Sequence, residues 1–309
     1  MRRDNEMLHL LLRLMLFVST LSLATGALAN TFNPVVEDLD KVDFSSPPSI
    51  FEGNIESDGS AMPMIMYKAN GKGPHPTIIL LHGFPGNEKN LDLAQVYRRA
   101  GFNVIFFHYR GAWGAEGQYG IANQVADTAN VIKLIRTGKF PHSEFIDHQK
   151  ISLVGHSLGG FNALYSGINQ STQCTLAIAP TDIGGVAKQL ADFNVVASDP
   201  YMSYPLLPLK GYSFVDALKE AKAKAFHLAP QMGKFKTQPV LIVQGKQDIY
   251  QVGDLVIISP KDSAGLIASA KQQGATNASY LEMAGDHSFS WNRIALAKRT
   301  TDWLTSYCR

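Results

Sequence analysis

The chemistry of this chain is read first from a single serine and the glycines around it. Gly155-His156-Ser157-Leu158-Gly159-Gly160 follows directly on the apolar run 151–154 and leads directly into a segment of helical pattern. A Gly-x-Ser-x-Gly string between a buried strand and a helix predicts a tight turn with the serine at its apex. Few residues tolerate the backbone angles of such a turn, and Gly155 and Gly159 are expected to leave it the room it needs. The turn would push the Ser157 hydroxyl out at the carboxyl end of the strand. It would also set the Leu158 N–H at a helix start, where negative charge developing on a carbonyl oxygen can be held. A serine hydroxyl is a weak nucleophile at neutral pH, so the pattern requires a base beside it and a group to hold that base.

His287 is the best base, because Gly285-Asp286-His287-Ser288-Phe289 sits just past the last strand-like run. The orienting carboxylate is expected at Asp248, in Gly245-Lys246-Gln247-Asp248 after the apolar run 240–243, with Asp254 and Asp286 as lesser candidates. Ser, Asp and His then follow one another in an order seen for such triads. A second oxyanion donor is expected from the backbone N–H of Phe84, in Leu80-Leu81-His82-Gly83-Phe84-Pro85-Gly86. Trp113 either lines a substrate pocket or has a structural role, and Arg110 is read as a residue that pins its own loop by an ion pair. Tyr201 and Tyr204 are further candidates for the pocket. His142 and His148 have no carboxylate or cysteine partner at ligand spacing, so no metal site is expected.

These side chains need elements to carry them. Strand-length apolar runs at 50–55, 64–68, 77–81, 104–108, 151–154, 175–179, 240–243 and 278–282 alternate with helix-period segments at 91–100, 122–137, 158–169, 262–273 and 289–307. That alternation is the signature of an α/β fold, a mostly parallel eight-stranded sheet with helices on both faces. In the second helical segment Val125, Thr128, Ala129, Ile132 and Ile135 recur at helical spacing, so one face packs on the sheet. The stretch 182–238 has no buried-strand signal and is rich in aromatic residues, so it is read as a cap inserted above the sheet.

Composition narrows the function classes. A net charge of +2 and no sustained basic stripe give no footprint for nucleic acid. At the N-terminus Arg2, Arg3 and Arg13 flank an apolar run that closes on Ala27-Leu28-Ala29, the pattern of a signal peptide over 1–29. The alternative is an uncleaved anchor, but Ser19, Thr20, Ser22, Thr25 and Gly26 interrupt the run. Cleavage would leave no stable membrane anchor and would send the protein to the periplasm or the medium. Residues 30–49 read as an extended segment, and 50–309 as one domain. In an exported protein Cys174 and Cys308 can form a disulfide, since both are expected at the sheet end away from Ser157; two independent thiols remain the alternative.

Taken together, His82-Gly83-Phe84, the Tyr109-Arg110-Gly111-Ala112-Trp113-Gly114 loop with Glu116-Gly117, the Ser157 turn, Gly245-Lys246-Gln247-Asp248 and Asp286-His287-Ser288-Phe289 resemble the α/β-hydrolase superfamily. The nearest resemblance is to the branch of prolyl oligopeptidase and acylaminoacyl peptidases and to serine aminopeptidase-like hydrolases, over about residues 50–307. It implies an α/β-hydrolase fold and a serine hydrolase with no metal or organic cofactor. Its substrate would be a small ester or a short peptide. The chain has no room for a large N-terminal propeller and no paired glutamates of the kind that hold a peptide amino terminus. These departures from the peptidase pattern favour an esterase, and the aromatic-rich cap predicts small to medium apolar acyl groups, with a short-peptide peptidase and a catalytically inert binding module as alternatives.

Overall fold

The computed structural model describes residues 32–190, 200–252 and 254–309. The expected signal segment 1–29 lies outside the described residues, as does part of the cap. Every element below belongs to the unit Pro34–Arg309. In chain order it runs β1 (Ser49–Ser57), β2 (Ser60–Lys68), β3 (His75–Leu81), α1 (Leu91–Arg99), β4 (Asn103–Phe107), α2 (Ile121–Arg136), β5 (Ile146–His156), α3 (Leu158–Asn169) and β6 (Thr175–Ile178). It continues with α4 (Ile183–Leu190), α5 (Phe214–Ala221), β7 (Val240–Gly245), β8 (Tyr250–Val252), β9 (Leu255–Ile258), α6 (Pro260–Gln272), β10 (Ala278–Met283) and α7 (Arg293–Tyr307).

Eight of these strands form one sheet in the order β1-β2-β4-β3-β5-β6-β7-β10. The pairings β1·β2 and β2·β4 are antiparallel, while those from β4 through β3, β5, β6 and β7 to β10 are parallel. Each of the eight strand-like runs of the sequence corresponds to a strand of this sheet, two of them ending one residue earlier than expected, at Phe107 and Ile178. Side chains alternate across it with period two. Leu80, Val154, Leu176 and Val243 pack on one face with Tyr97 of α1 and Leu296 and Leu304 of α7. On the other face Leu81, Ile105 and Leu153 meet Val131, Ile132 and Ile135 of α2, while Ala177, Val240 and Ile242 meet Phe161 of α3 and Leu266 and Ile267 of α6. The central strands are therefore dry on both sides, which is why they read as unbroken apolar runs.

Two elements differ from expectation. The final helix begins at Arg293 rather than at 289, because Asp286 accepts hydrogen bonds from the Ser290 N–H and hydroxyl and Phe289 takes a left-handed φ of 55°. These local bonds satisfy the backbone in a turn instead of a first helical coil. The other difference is the antiparallel pair β8·β9, absent from the sequence reading. Its strands are short, and Ser259-Pro260 closes the second at once by capping α6, the Ser259 hydroxyl accepting from the Asp262 N–H.

Lys68 is buried, and its Nζ donates to the carbonyls of Ser46, Pro47, Ala69 and Gly71. Four carbonyl dipoles take the place of a counter-ion, and they fasten the segment before β1 to the turn after β2. Burial still pushes the ammonium below its ordinary range.

Cys174 and Cys308 are joined by a disulfide. It ties the start of β6 to the end of α7 across a sequence separation of 134 residues. Closing so long a loop in the unfolded chain predicts that Cys308→Ser lowers the unfolding free energy by about 2–5 kcal/mol. Chemical denaturation of the oxidised protein and the variant measures the difference, and equal midpoints would show that the bridge adds nothing to stability.

Candidate active site

The parallel strands deliver the candidate residues to one sheet edge. His82-Gly83-Phe84 follows β3, Ser157 ends β5, Asp248 lies three residues beyond β7 and His287 four residues beyond β10. Because β3, β5, β6, β7 and β10 run the same way, each of these segments leaves the sheet at its carboxyl end, where open α/β sheets bind ligands.

Ser157 has φ 60° and ψ −125°, a conformation outside the range ordinary residues prefer. It is held there from several sides. Its N–H donates to the Ile178 carbonyl at 2.9 Å, and its own carbonyl accepts from Gly160, Phe161 and Thr181. Glycines make the close approach possible. A Cβ built at Gly155 would stand 2.0 Å from the Gly159 carbonyl oxygen, and one at Gly159 would stand 2.2 Å from that of Leu81. A Cβ at Gly83 would meet the Ser157 Cβ at 2.8 Å, so the loop after β3 is pressed directly against the serine.

His287 and Asp248 form a close pair, with Nδ1 of the imidazole 3.1 Å from both carboxylate oxygens. Asp248 is 1% exposed and the His287 side chain 30% exposed, so the carboxylate is dry and the ring reaches the cavity. Nδ1–H donates to Asp248, which leaves Nε2 as the nitrogen available to a neighbour. No hydrogen bond ties the Ser157 hydroxyl to a described residue, and contacts of this type commonly tighten only when substrate binds. The Leu158 N–H opens α3 and has no intrahelical acceptor. Phe84 and Leu158 both line the cavity that Ser157 and His287 share.

That cavity has a volume of about 400 Å³. Ile183 and Val186 of α4, Phe214 and Leu218 of α5 and Ile257 and Ile258 from β9 line it together with the serine. Among the described residues that line it, none is an aspartate, glutamate, lysine or arginine. Within the stretch read as a cap, α4 and α5 thus supply one wall. The unforeseen β8·β9 hairpin supplies another, and Gln189 of α4 ties the two by bonding both the N–H and the carbonyl of Val256.

The remaining candidates are placed elsewhere. Trp113 does not line the cavity: its indole N–H donates to the Pro85 carbonyl at 2.7 Å and its ring stacks on His108. It holds the loop that carries Phe84 rather than touching the cavity. Tyr204 is 67% exposed, and the side chain of Tyr201 lies outside the described residues. Arg110 pins its loop through an ion pair with the buried Asp127, 2.5 Å away, and a second with Asp58. Asp254 is exposed, and Asp286 bonds Ser290 instead of the imidazole. Among the described residues no group of His, Cys, Asp and Glu could hold a metal ion.

Two side chains that sequence reasoning passed over also belong to the site. His156 donates its Nε2–H to the carbonyl of His287 at 2.8 Å, fastening the base's loop to the end of β5. Gln244, within the apolar stripe of β7, donates to Asp248. A polar residue at the carboxyl end of a buried strand, where the stripe calls for an aliphatic one, is the signal that could have found it.

A family model described as Alpha/beta hydrolase family matches residues 78–292, more than half of the chain, a span that includes Phe84, Ser157, Asp248 and His287. Among sequence relatives, the uncharacterized 31.7 kDa protein of the traX-finO intergenic region of Escherichia coli is 35% identical over 133 residues, 41% of this chain. The aligned part is 45% of that protein, so the chain spans less than half the length of this relative. Among solved structures, Est1E from Butyrivibrio proteoclasticus with ferulic acid bound superposes with a TM-score of 0.63 at 15% identity, over 82% of this chain and 98% of that one. The acylaminoacyl peptidase of Pyrococcus horikoshii gives 0.61 at 14% identity, over 85% of this chain and 42% of that one. At such identities the likeness is one of fold.

Burial gives the site a pH signature. His82 and His156 are buried and, mainly by desolvation, each is pushed down to about 3 from an ordinary 6.5. Both stay neutral in the folded protein while their unfolded counterparts protonate below about pH 6.5, so the unfolded chain binds more protons and stability falls with falling pH. The loss begins near pH 6.5 and runs towards pH 3, at roughly 1.4 kcal/mol per pH unit for each histidine. Urea denaturation between pH 7 and 4.5 should show midpoints that drop steadily. Unchanged midpoints would mean that these rings are not held neutral.

Proposed function

This chain belongs to the alpha/beta hydrolase family, and on that premise we propose that it is a hydrolase that cleaves carboxylic esters through a Ser157–His287–Asp248 triad. The observation that carries the reading is the pairing of a dry carboxylate with the imidazole of His287, on the same cavity as a serine held at a left-handed φ. His287 Nε2 accepts the Ser157 proton as Oγ attacks the substrate carbonyl, and Asp248 stabilises the resulting imidazolium. The N–H groups of Phe84 and Leu158 hold the oxyanion, each worth a factor of about 10² to 10³ in turnover. As the tetrahedral intermediate collapses, the imidazolium protonates the leaving alkoxide and an acyl-serine remains. Water, deprotonated by the same nitrogen, then attacks the acyl carbon and releases the acid.

The cavity wall supports an apolar acyl group as substrate. Among the described residues that line it there is no carboxylate or ammonium, and α4, α5 and β9 present aliphatic and aromatic side chains to it. Such a wall favours a neutral chain over the charged amino terminus of a peptide. Export to an oxidising compartment is part of the same proposal, supported by the disulfide between Cys174 and Cys308.

Three measurements test this. A fluorophosphonate probe should label the wild type and leave Ser157→Ala unlabelled; an unlabelled wild type would point to an inert scaffold. Asp248→Asn should lower kcat by up to about 10⁴-fold, and a near-normal rate would remove Asp248 from the triad. Across p-nitrophenyl esters, kcat/KM should rise with acyl length from acetate upwards by as much as about fourfold per methylene, the equivalent of roughly 0.8 kcal/mol. A flat series, or anilide turnover equal to ester turnover, would favour a peptidase.

A further inference from the structure

Behind the carboxylate lies a chain of polar side chains that a three-residue triad does not need. Gln244 Nε2 donates to Asp248 Oδ2 at 2.6 Å, and Ser263 Oγ donates to Gln244 Oε1 at 2.6 Å. Gln244 and Ser263 are fully buried and Asp248 nearly so. The orientation of the amide is dictated by chemistry. A carboxylate only accepts, so the NH₂ end of Gln244 must face Asp248, and its carbonyl is left to face the one donor on the other side, the Ser263 hydroxyl. Strand alternation explains the reach: Gln244 lies on the same face of β7 as Val240 and Ile242, and that face packs on α6, which carries Ser263. Any aliphatic residue at 244 would continue the stripe and pack on α6 without leaving a polar atom to satisfy. A buried amide here is therefore costly unless its bonds are used.

Resting on the reading of Ser157, His287 and Asp248 as a triad, we infer that Gln244 is a positioning residue, held in orientation by Ser263, that locks the Asp248 carboxylate in the rotation that lets it receive His287 Nδ1–H. The carboxylate rotates about its last side-chain bond unless something besides the imidazole holds it. With Oδ2 fixed by an amide that is itself fixed by α6, the direction of the imidazole is set by the sheet and a helix rather than by the loop that bears it. The imidazolium formed in each half-reaction then finds its counter-charge already aligned, and no reorganisation is needed as charge develops.

The test uses purified full-length protein with an apolar p-nitrophenyl ester. Gln244→Leu should lower kcat by about 10- to 100-fold, the size expected for a lost hydrogen bond to a charged group, with KM within about twofold of wild type. Ser263→Ala, which leaves the amide in place but frees it to turn, should lower kcat by a smaller factor and serves as the reading if Gln244→Leu does not fold. Gln244→Glu supplies a readout that packing alone would not move. Its carboxyl can donate to Asp248 only when protonated, so its kcat relative to wild type should fall as pH rises, while that of Gln244→Leu should not. The groups facing Asp248 are His287 from the loop after β10 and residue 244 itself; His156 and Tyr250 face the imidazole from β5 and β8. These groups are shared by all the variants, so the comparison isolates position 244. Folded Gln244→Leu and Ser263→Ala proteins with wild-type kcat, or a Gln244→Glu profile parallel to wild type, would overturn the assignment. Fluorophosphonate labelling of the wild type reads the triad separately: an unlabelled wild type removes both readings, whereas a labelled wild type with undiminished variants removes only this one.

Discussion

The arrangement depends on one crowded crossing of backbones. The turn at Ser157 is possible only because the chain after β5, the start of α3 and the loop after β3 approach more closely than any Cβ would permit. Gly83, Gly155 and Gly159 are the points of contact, and the serine between them is held by bonds to Ile178 at the end of β6 and to Thr181 just past it. Three parallel strands thus fix one side chain. Strain of this kind persists only where the surroundings over-determine it, and here the surroundings are the dry centre of an eight-stranded sheet.

Around that crossing, several polar groups in the apolar interior are given a defined partner. His156 reaches from the end of β5 to the carbonyl of His287. Asp127 meets Arg110, and Lys68 is ringed by carbonyls. Buried groups satisfied in this way rigidify the segments they join, because moving either partner exposes an unpaired polar atom to a low-dielectric medium. The result is a site whose members come from widely separated parts of the chain yet share a single frame. By contrast, the cavity walls come from short helices and a short hairpin, joined to each other by apolar contact and by Gln189.

The strands and the residues at their ends are legible in the sequence because parallel strands buried on both faces must be continuously apolar, and the residues just past the carboxyl end of such a run stand at the site edge. The glycines around Ser157 are legible for the same geometric reason. Other features are hidden. The hairpin β8·β9 has too few residues to show a period, and the helix expected at Phe289 gives way to the side-chain bonds of Asp286, a competition that pattern cannot weigh. Trp113 is a candidate for the pocket because its loop leaves the active edge. Its indole N–H turns instead to the Pro85 carbonyl, a choice made by tertiary contact. Gln244 interrupts the apolar stripe of β7 in plain view, but its bond to Ser263 depends on how α6 packs against the sheet, which the sequence does not show.

The bond between Cys174 and Cys308 closes the chain into a covalent ring that contains α4, α5, Asp248 and His287 but leaves Ser157 outside. A single proteolytic cut anywhere in that ring, including the short helices over the cavity, yields two fragments that stay one molecule until a reductant is added. The part of the chain that bears the base and its carboxylate can therefore be nicked without being shed, and any loss of function on nicking would report the opening of the cavity rather than the departure of its parts.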